Sequence, residues 1–413
     1  MGIIPEIISQ HAEESAFLWR LRDRAVDEPH YRLKQLTALD ERVEAHLDGL
    51  RIAGDAGWDL LVDELKWEAP GEIFAAAAIA LEGGVEARIQ RALSAALPDR
   101  ALRRAFASAL GWSSTRVADP FVRRLLADAA GPARHIGIMA AAARGMNLAE
   151  LLAALGQDGD SLVRARALRA MGQLGRADLG AMLVQQSGDA DEACRFWALW
   201  SHGVLAATHD VVTYLIGFAE SGGAFAGHAT QLIFRILAPS DSARVWNAWA
   251  RRAVLMRLAV TAAGVSGDPD SVPWILEQMG DPKLARVAGE AFSMITGADL
   301  AYLDLDQRPP QDLEGGPTED AADPAVGLDP DENLPFPVGA KCRRWWDAHR
   351  GDFKSGVRHL CGLPVRTANL QTVLRDGFQR QRQAAALELS LRNPGRPVFE
   401  CRARGFRQGS ALS

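Results

Sequence analysis

DSLVRARALRAMGQLGR, Asp160 to Arg176, followed by ADLGAMLVQQSGD, Ala177 to Asp189, decides how this chain is read. Val163, Ala167, Ala170 and Leu174 recur at three- and four-residue intervals, which places them on one face of a helix. Arg164, Arg166 and Arg169 mark another face. The Gly that ends this run and the shorter apolar run after it give a second helix, so the unit is a helix pair. A later copy, PDSVPWILEQMGD then PKLARVAGEAFSMITG, spans Pro269 to Gly297. Helix pairs returning every 30 to 45 residues or so predict an α-solenoid, in which each pair buries its apolar face against its neighbours.

Outward from this stretch the same punctuation holds. Breaks fall at Gly83-Gly84, Pro98, Gly131-Pro132, Gly159-Asp160, Gly188-Asp189, Gly222-Gly223, Pro239, Gly267-Asp268-Pro269 and Asp281-Pro282. Each joins a helix-ending Gly to an Asp, Ser or Pro start. The array is expected over residues 68–298. Before it, 5–28 and 31–53 read as two long helices parted at Glu28-Pro29, because the residue before proline leaves the α region. They predict an antiparallel hairpin cap over 1–67. Residues 299–338, with seven prolines and 11 acidic groups, predict a disordered or loosely attached linker. Residues 339–413 predict a basic helical region with helices at 340–360 and 367–391 and a short strand at Val398–Cys401.

The form D-x-x-V-R-x-x-A-x-x-A-x-G-x-L-G, in Asp160, Val163, Arg164, Ala167, Ala170, Gly172, Leu174 and Gly175, resembles a HEAT-type repeat. That resemblance implies an all-α fold: an α-solenoid of HEAT-like helix pairs with an N-terminal helical hairpin and a C-terminal helix pair. It also implies that the Arg braces an adjacent turn. An orthogonal helical bundle without repeats is the alternative.

Composition fits a soluble globular chain, 48% apolar and 24% charged. The net charge of −6 argues against general nucleic-acid binding. Its distribution says more. Residues 299–338 carry one basic and 11 acidic groups, whereas 339–413 carry 15 basic and five acidic. An acidic segment thus precedes a basic tail, and the two attract. Four scattered cysteines predict a reducing, cytoplasmic setting. No apolar run is long enough for a membrane span, and the N-terminus lacks an export signal pattern.

Chemistry is hard to find. Glu-x-x-His is absent around His11 and His46, so the charged hairpin reads as a salt-bridged face, not a metal site. Cys342, His349, His359 and Cys361 lack zinc-finger spacing. Ser201 and His202 sit in no nucleophile elbow, and no phosphate-binding glycine motif occurs. No catalytic, metal or cofactor residue is therefore expected. Tryptophan, with 11 copies against three tyrosines, stands out as an anchor for contacts. Trp246 and Trp249 share a helix face, and Trp345 and Trp346 are adjacent, so one of them must leave its own core face. Arg380 and Arg382, in the stretch Arg375–Arg382, and a second run at Arg402–Arg407 read as solvated faces or as contacts for an acidic protein partner. These six residues, Trp246, Trp249, Trp345, Trp346, Arg380 and Arg382, are the candidate partner contacts.

Both ends of the chain resemble a family of uncharacterised proteobacterial HEAT-like repeat proteins. The match lies in QHAEESAFLWRLRDRAV (Gln10–Val26), LDERVEAHLDGLRIAG (Leu39–Gly54), RQRQAAALELSLRNPG (Arg380–Gly395) and GFRQG (Gly405–Gly409). Such proteins are sometimes encoded near spike-protein genes of the type VI secretion system. The resemblance implies an accessory, adaptor or immunity role, with a secreted effector or spike component as partner. Two other readings remain open: a HEAT-like enzyme or lyase with a ligand in a concave groove, and nucleic-acid binding through the basic tail.

Overall fold

In a computed structural model that describes residues 4–206, 208–310, 329 and 331–413, the chain is all-α. Its first helices are α1 (Pro5–Ala25), α2 (Leu33–Ala53), α3 (Asp55–Glu64), α4 (Pro70–Gly83), α5 (Glu86–Ala96), α6 (Arg100–Trp112), α7 (Thr115–Leu126), α8 (Gly131–Ala143), α9 (Ala149–Leu155), α10 (Ser161–Gln173), α11 (Gly180–Gln186) and α12 (Glu192–Ala206). There follow α13 (Asp210–Glu220), α14 (Ala226–Ile236), α15 (Pro239–Ala250), α16 (Met256–Ser266), α17 (Val272–Gln278), α18 (Pro282–Thr296), α19 (Gly339–His349), α20 (Thr367–Asp376), α21 (Gln379–Arg392) and α22 (Gly405–Leu412). Two compact units divide them. Unit 1 holds Met1–Asp27, Tyr31–Ala206 and Asn393–Ser413; unit 2 holds Glu28–His30 and Ala207–Arg392.

In unit 1, α1 packs on α2 and α4, and then α4, α6, α8, α10 and α12 pack on one another in chain order. Small residues set the spacing: a Cβ on Gly172 of α10 would stand 2.8 Å from Ser201 Cα of α12. Large rings fill the first layers, with Trp19 stacked on Phe74 at 4.9 Å and Phe74 edge-on to Trp112 at 5.0 Å. Asp99 and Asp160 cap α6 and α10 by accepting from the amides of Ala101 and Leu162.

One bond pattern recurs down this stack. Arg134 donates to the Asp158 carboxylate and to the carbonyls of Asp128 and Ala129. Arg164 donates to Asp189 and the Asp158 carbonyl; Arg195 donates to the carbonyls of Asp189 and Ala190. Each Arg sits in the first turn of its helix and staples the loop before it, and two of the three also bind the acid of the next loop. The bracing expected of Arg164 is present, and its carboxylate partner is Asp189.

Residues 393–413 belong to this unit. The Val398 amide donates to the Gln173 carbonyl at 2.8 Å, so the strand expected at Val398–Cys401 does not form: its partner is a helix end. Arg22, buried beside Asp40 at 2.7 Å, donates to the carbonyls of Arg402 and Ala403. The second Asp40 oxygen accepts from the Gly405 amide at 2.6 Å, and Arg407 reaches the carbonyls of Gly111 and Ser113.

In unit 2, α14, α16 and α18 pack in succession, with α13, α15 and α17 beside them and α21 against α14. The described ends of the expected linker are seated: Leu300, Leu305, Leu334 and Phe336 are buried. A short antiparallel ladder, β1 (Asp306–Gln307) with β2 (Phe336–Pro337), closes them together, and Asp329 and Asp331 pair with Arg286 and Arg257. Residues 311–328 and 330, the remainder of that segment, lie outside the described residues. The helix expected over 340–360 stops at His349. Gly356, Cys361 and Gly362 adopt positive φ, which no helix allows, and β3 (His359–Leu360) turns back into β4 (Leu363–Pro364). This hairpin lies on the ends of α16 and α18, where Gly297 (φ 73°) would bring a Cβ within 2.5 Å of the Cys361 carbonyl.

Candidate anion-binding site

The six candidate contacts all lie in unit 2, and most are core groups. Trp249 is 2% exposed, donates to Glu220 Oε1 at 2.8 Å and meets Phe234 edge-on. Trp246 is buried against Trp274, and Trp346 against Phe353. Arg382 is fully buried and donates to the Leu374 carbonyl and Gln379 Oε1. In this fold the indole and guanidinium groups of these four are turned to internal neighbours. Trp345 and Arg380 stay half-exposed, over Phe292 and beside Glu290 of α18.

The other groups weighed in the sequence have structural neighbours. Ser201 Oγ donates to the Leu168 carbonyl between α12 and α10. Burial pushes the Cys194 thiol up to about 12 and the Cys342 thiol up to about 11. His349 and His359 each set Nδ1 against a backbone carbonyl. On the N-terminal hairpin His11 and His46 face each other, Nδ1 to Nδ1, at 3.1 Å.

A different set of residues is gathered without being spent. Arg103 on α6, His135 on α8, Arg166 on α10 and Trp197 on α12 are 31 or 32 residues apart in sequence, close to the 30 or 31 between the starts of the packed helices that carry them. Arg100 lies one turn before Arg103, and Arg169 one turn after Arg166. His135 is 4% and Arg103 8% exposed. Buried polar atoms here lack hydrogen-bond partners: Arg103 Nε, His135 Nδ1, Arg166 Nη1 and Arg169 Nε. Among the described residues Arg100, Arg103, Arg166 and Arg169 make no ion pair. Arg164, on the same helix, is fully engaged. The Arg169 guanidinium instead lies over Trp197, its Cζ 4.2 Å from the ring centroid.

Electrostatics follow this placement. Burial, with Arg169 and Arg100 pushing the same way and Glu400 opposing, pulls the Arg166 guanidinium down to about 9. Burial pulls Arg169 down to about 10, against Glu400 and Asp27 and with help from Arg402 and Arg100. Both remain cationic at neutral pH. His135, buried and beside Arg166, Arg103 and Arg100, is pulled down to about 3 and is neutral there. The acids whose fields reach Arg166 and Arg169 are partly engaged already: Glu400 accepts the Arg402 amide, and Asp27 binds the Arg402 side chain. Arg103 is buried, Arg166 and Arg169 are half-buried and Arg100 is exposed; an unpaired cation held partly out of water costs free energy, and an anion that reaches it offsets that cost.

Arg166 and Arg169 are visible in the sequence as a charged face, but Arg100, Arg103 and His135 were not singled out. The signal that finds Arg103 and His135 is the repeat interval, applied to polar positions as well as to apolar ones; Arg100 has no such signal. Compared with family models, curated proteins and solved structures, the chain has no match.

Proposed function

We propose that this chain is a non-enzymatic binding protein, that its helix pairs form a HEAT-like solenoid, and that the arginine cluster of unit 1 receives an anionic group of another protein. The observation that carries this is the set of unpaired guanidiniums on α6 and α10, beside Arg104 and Arg164 of the same helices, which are paired. What sets these guanidiniums apart is the lack of any ion pair: Arg235, Arg286 and Arg404 also carry a buried Nε without a partner, but each is paired with a carboxylate. The family resemblance of the two ends supplies the partner class to try first, a secreted effector or spike component of a type VI secretion system, bound in the cytoplasm by an adaptor or immunity protein. Affinity capture from native lysate with the full chain and with an Arg166→Gln/Arg169→Gln variant tests it. A partner recovered in a salt-sensitive way by the native chain and lost by the variant is expected. Recovery of the same proteins by both would overturn it.

A further inference from the structure

We infer that the anionic group taken by Arg100, Arg103, His135, Arg166 and Arg169 is a phosphoryl group, carried on a side chain of the partner. This rests on the reading that the cluster is a binding face, and it adds the ligand's chemistry. A carboxylate already stands in the field of the cluster: Glu400 acts on both Arg166 and Arg169, yet pairs with neither. Glu400 is instead turned to the Arg402 amide, so both guanidiniums keep their donors open. A phosphoryl group brings three acceptor oxygens and close to two charges, and guanidinium forks match it in bidentate geometry.

The placement of donors fits that shape. Arg166 and Arg169 come from one helix and Arg100 and Arg103 from another, with the helix carrying His135 packed between. Donors from three helices suit a tetrahedral acceptor better than a flat one. The Arg169 guanidinium is held over Trp197, and its buried Nε has no hydrogen-bond partner in the fold. His135 Nδ1, buried and without a partner, adds a donor in the tautomer that carries its hydrogen there. A nucleic acid would bring the same group on an extended polyanion, which the chain's net charge of −6 repels.

Isothermal titration of the full chain at low ionic strength distinguishes the outcomes, with four probes: inorganic phosphate, a short phosphoserine peptide, the same peptide with glutamate at that position, and an oligothymidine. The Arg166→Gln/Arg169→Gln variant is compared with Arg116→Gln, a change at an exposed site on α7. The expected result is binding of phosphate and tighter binding of the phosphopeptide, each weakened at least tenfold in the double variant and unchanged in the control. Circular dichroism should show the double variant as stable as the native chain, since it loses two unpaired charges. Equal binding of the glutamate peptide with none of phosphate would overturn the inference while leaving the binding face intact. Oligothymidine binding tighter than the phosphopeptide would overturn it too. No binding of any probe would overturn both readings, and phosphate binding unaltered in the double variant would place the site elsewhere.

Discussion

Replacing His135 by glutamine should remove much of the acid sensitivity of unit 1. In the fold His135 is held down to about 3 from an ordinary 6.5, by burial first and then by Arg166, Arg103 and Arg100. The sign follows from which state takes the proton. Below pH 6.5 the unfolded chain binds it and the folded chain does not, so stability is full above 6.5 and is lost as pH falls toward 3. Each unit of that window is worth about 1.4 kcal/mol, so His135 alone removes about 2 kcal/mol between pH 6.5 and 5. Over that interval the folded form stays neutral, so the figure does not depend on the exact lower limit. Hydrogen exchange of amides in α8 and α10, at pH 7 and pH 5, reads the local stability of this unit apart from the other. The native chain should lose about 2 kcal/mol more than His135→Gln on acidification. Equal losses in the two proteins would refute the reasoning and mean that the imidazole is not held neutral by its neighbours.

Three further expectations test the frame around the site. Asp40→Ala strands Arg22 in a buried position and should cost unit 1 about 3–5 kcal/mol in urea unfolding, with α22 losing exchange protection first. Gly297→Ala forces both a left-handed φ and a clash with the Cys361 carbonyl and should cost about 1–3 kcal/mol, whereas Gly180→Ala, in open space on α11, should gain about 0.5 kcal/mol. Cys194, with its thiol raised to about 12, should resist iodoacetamide in the native chain at pH 7 and react only after denaturation, as intact-mass measurement would show.

How much of this was legible in the sequence depends on how far apart the interacting residues lie. The helices around Asp160–Gly175 were readable because apolar spacing, the Asp cap and the ending Gly are all local. Val398–Cys401 looked like a strand because its β-branched and aromatic residues say nothing of their partner, the carbonyl of Gln173, more than 200 residues away. The helix expected through 340–360 failed at turns whose positive φ at Cys361 is imposed by contact with Met294 and Ile295 carbonyls. Trp249 illustrates the limit for sites. Its residue type suits an interface, but a fixed partner in Glu220 and burial against Phe234 decide otherwise. Arg103, His135 and Arg166 come within reach of one another only once α6, α8 and α10 are packed.

The interleaving of the two units has a kinetic meaning. Unit 1 takes Asn393–Ser413 as its last piece, and every residue of Ala207–Arg392 is synthesised before that piece exists. At roughly 5–20 residues per second, translation of that stretch takes on the order of 10 to 40 seconds. Throughout this time Arg22 lacks the carbonyls of Arg402 and Ala403, and Asp40 lacks the Gly405 amide. The arginines of α6 and α10 and His135 of α8 are likewise made before Glu400 emerges. The nascent chain therefore passes through a period when Arg166 and Arg169 have been made and the Glu400 carboxylate that opposes their mutual repulsion has not.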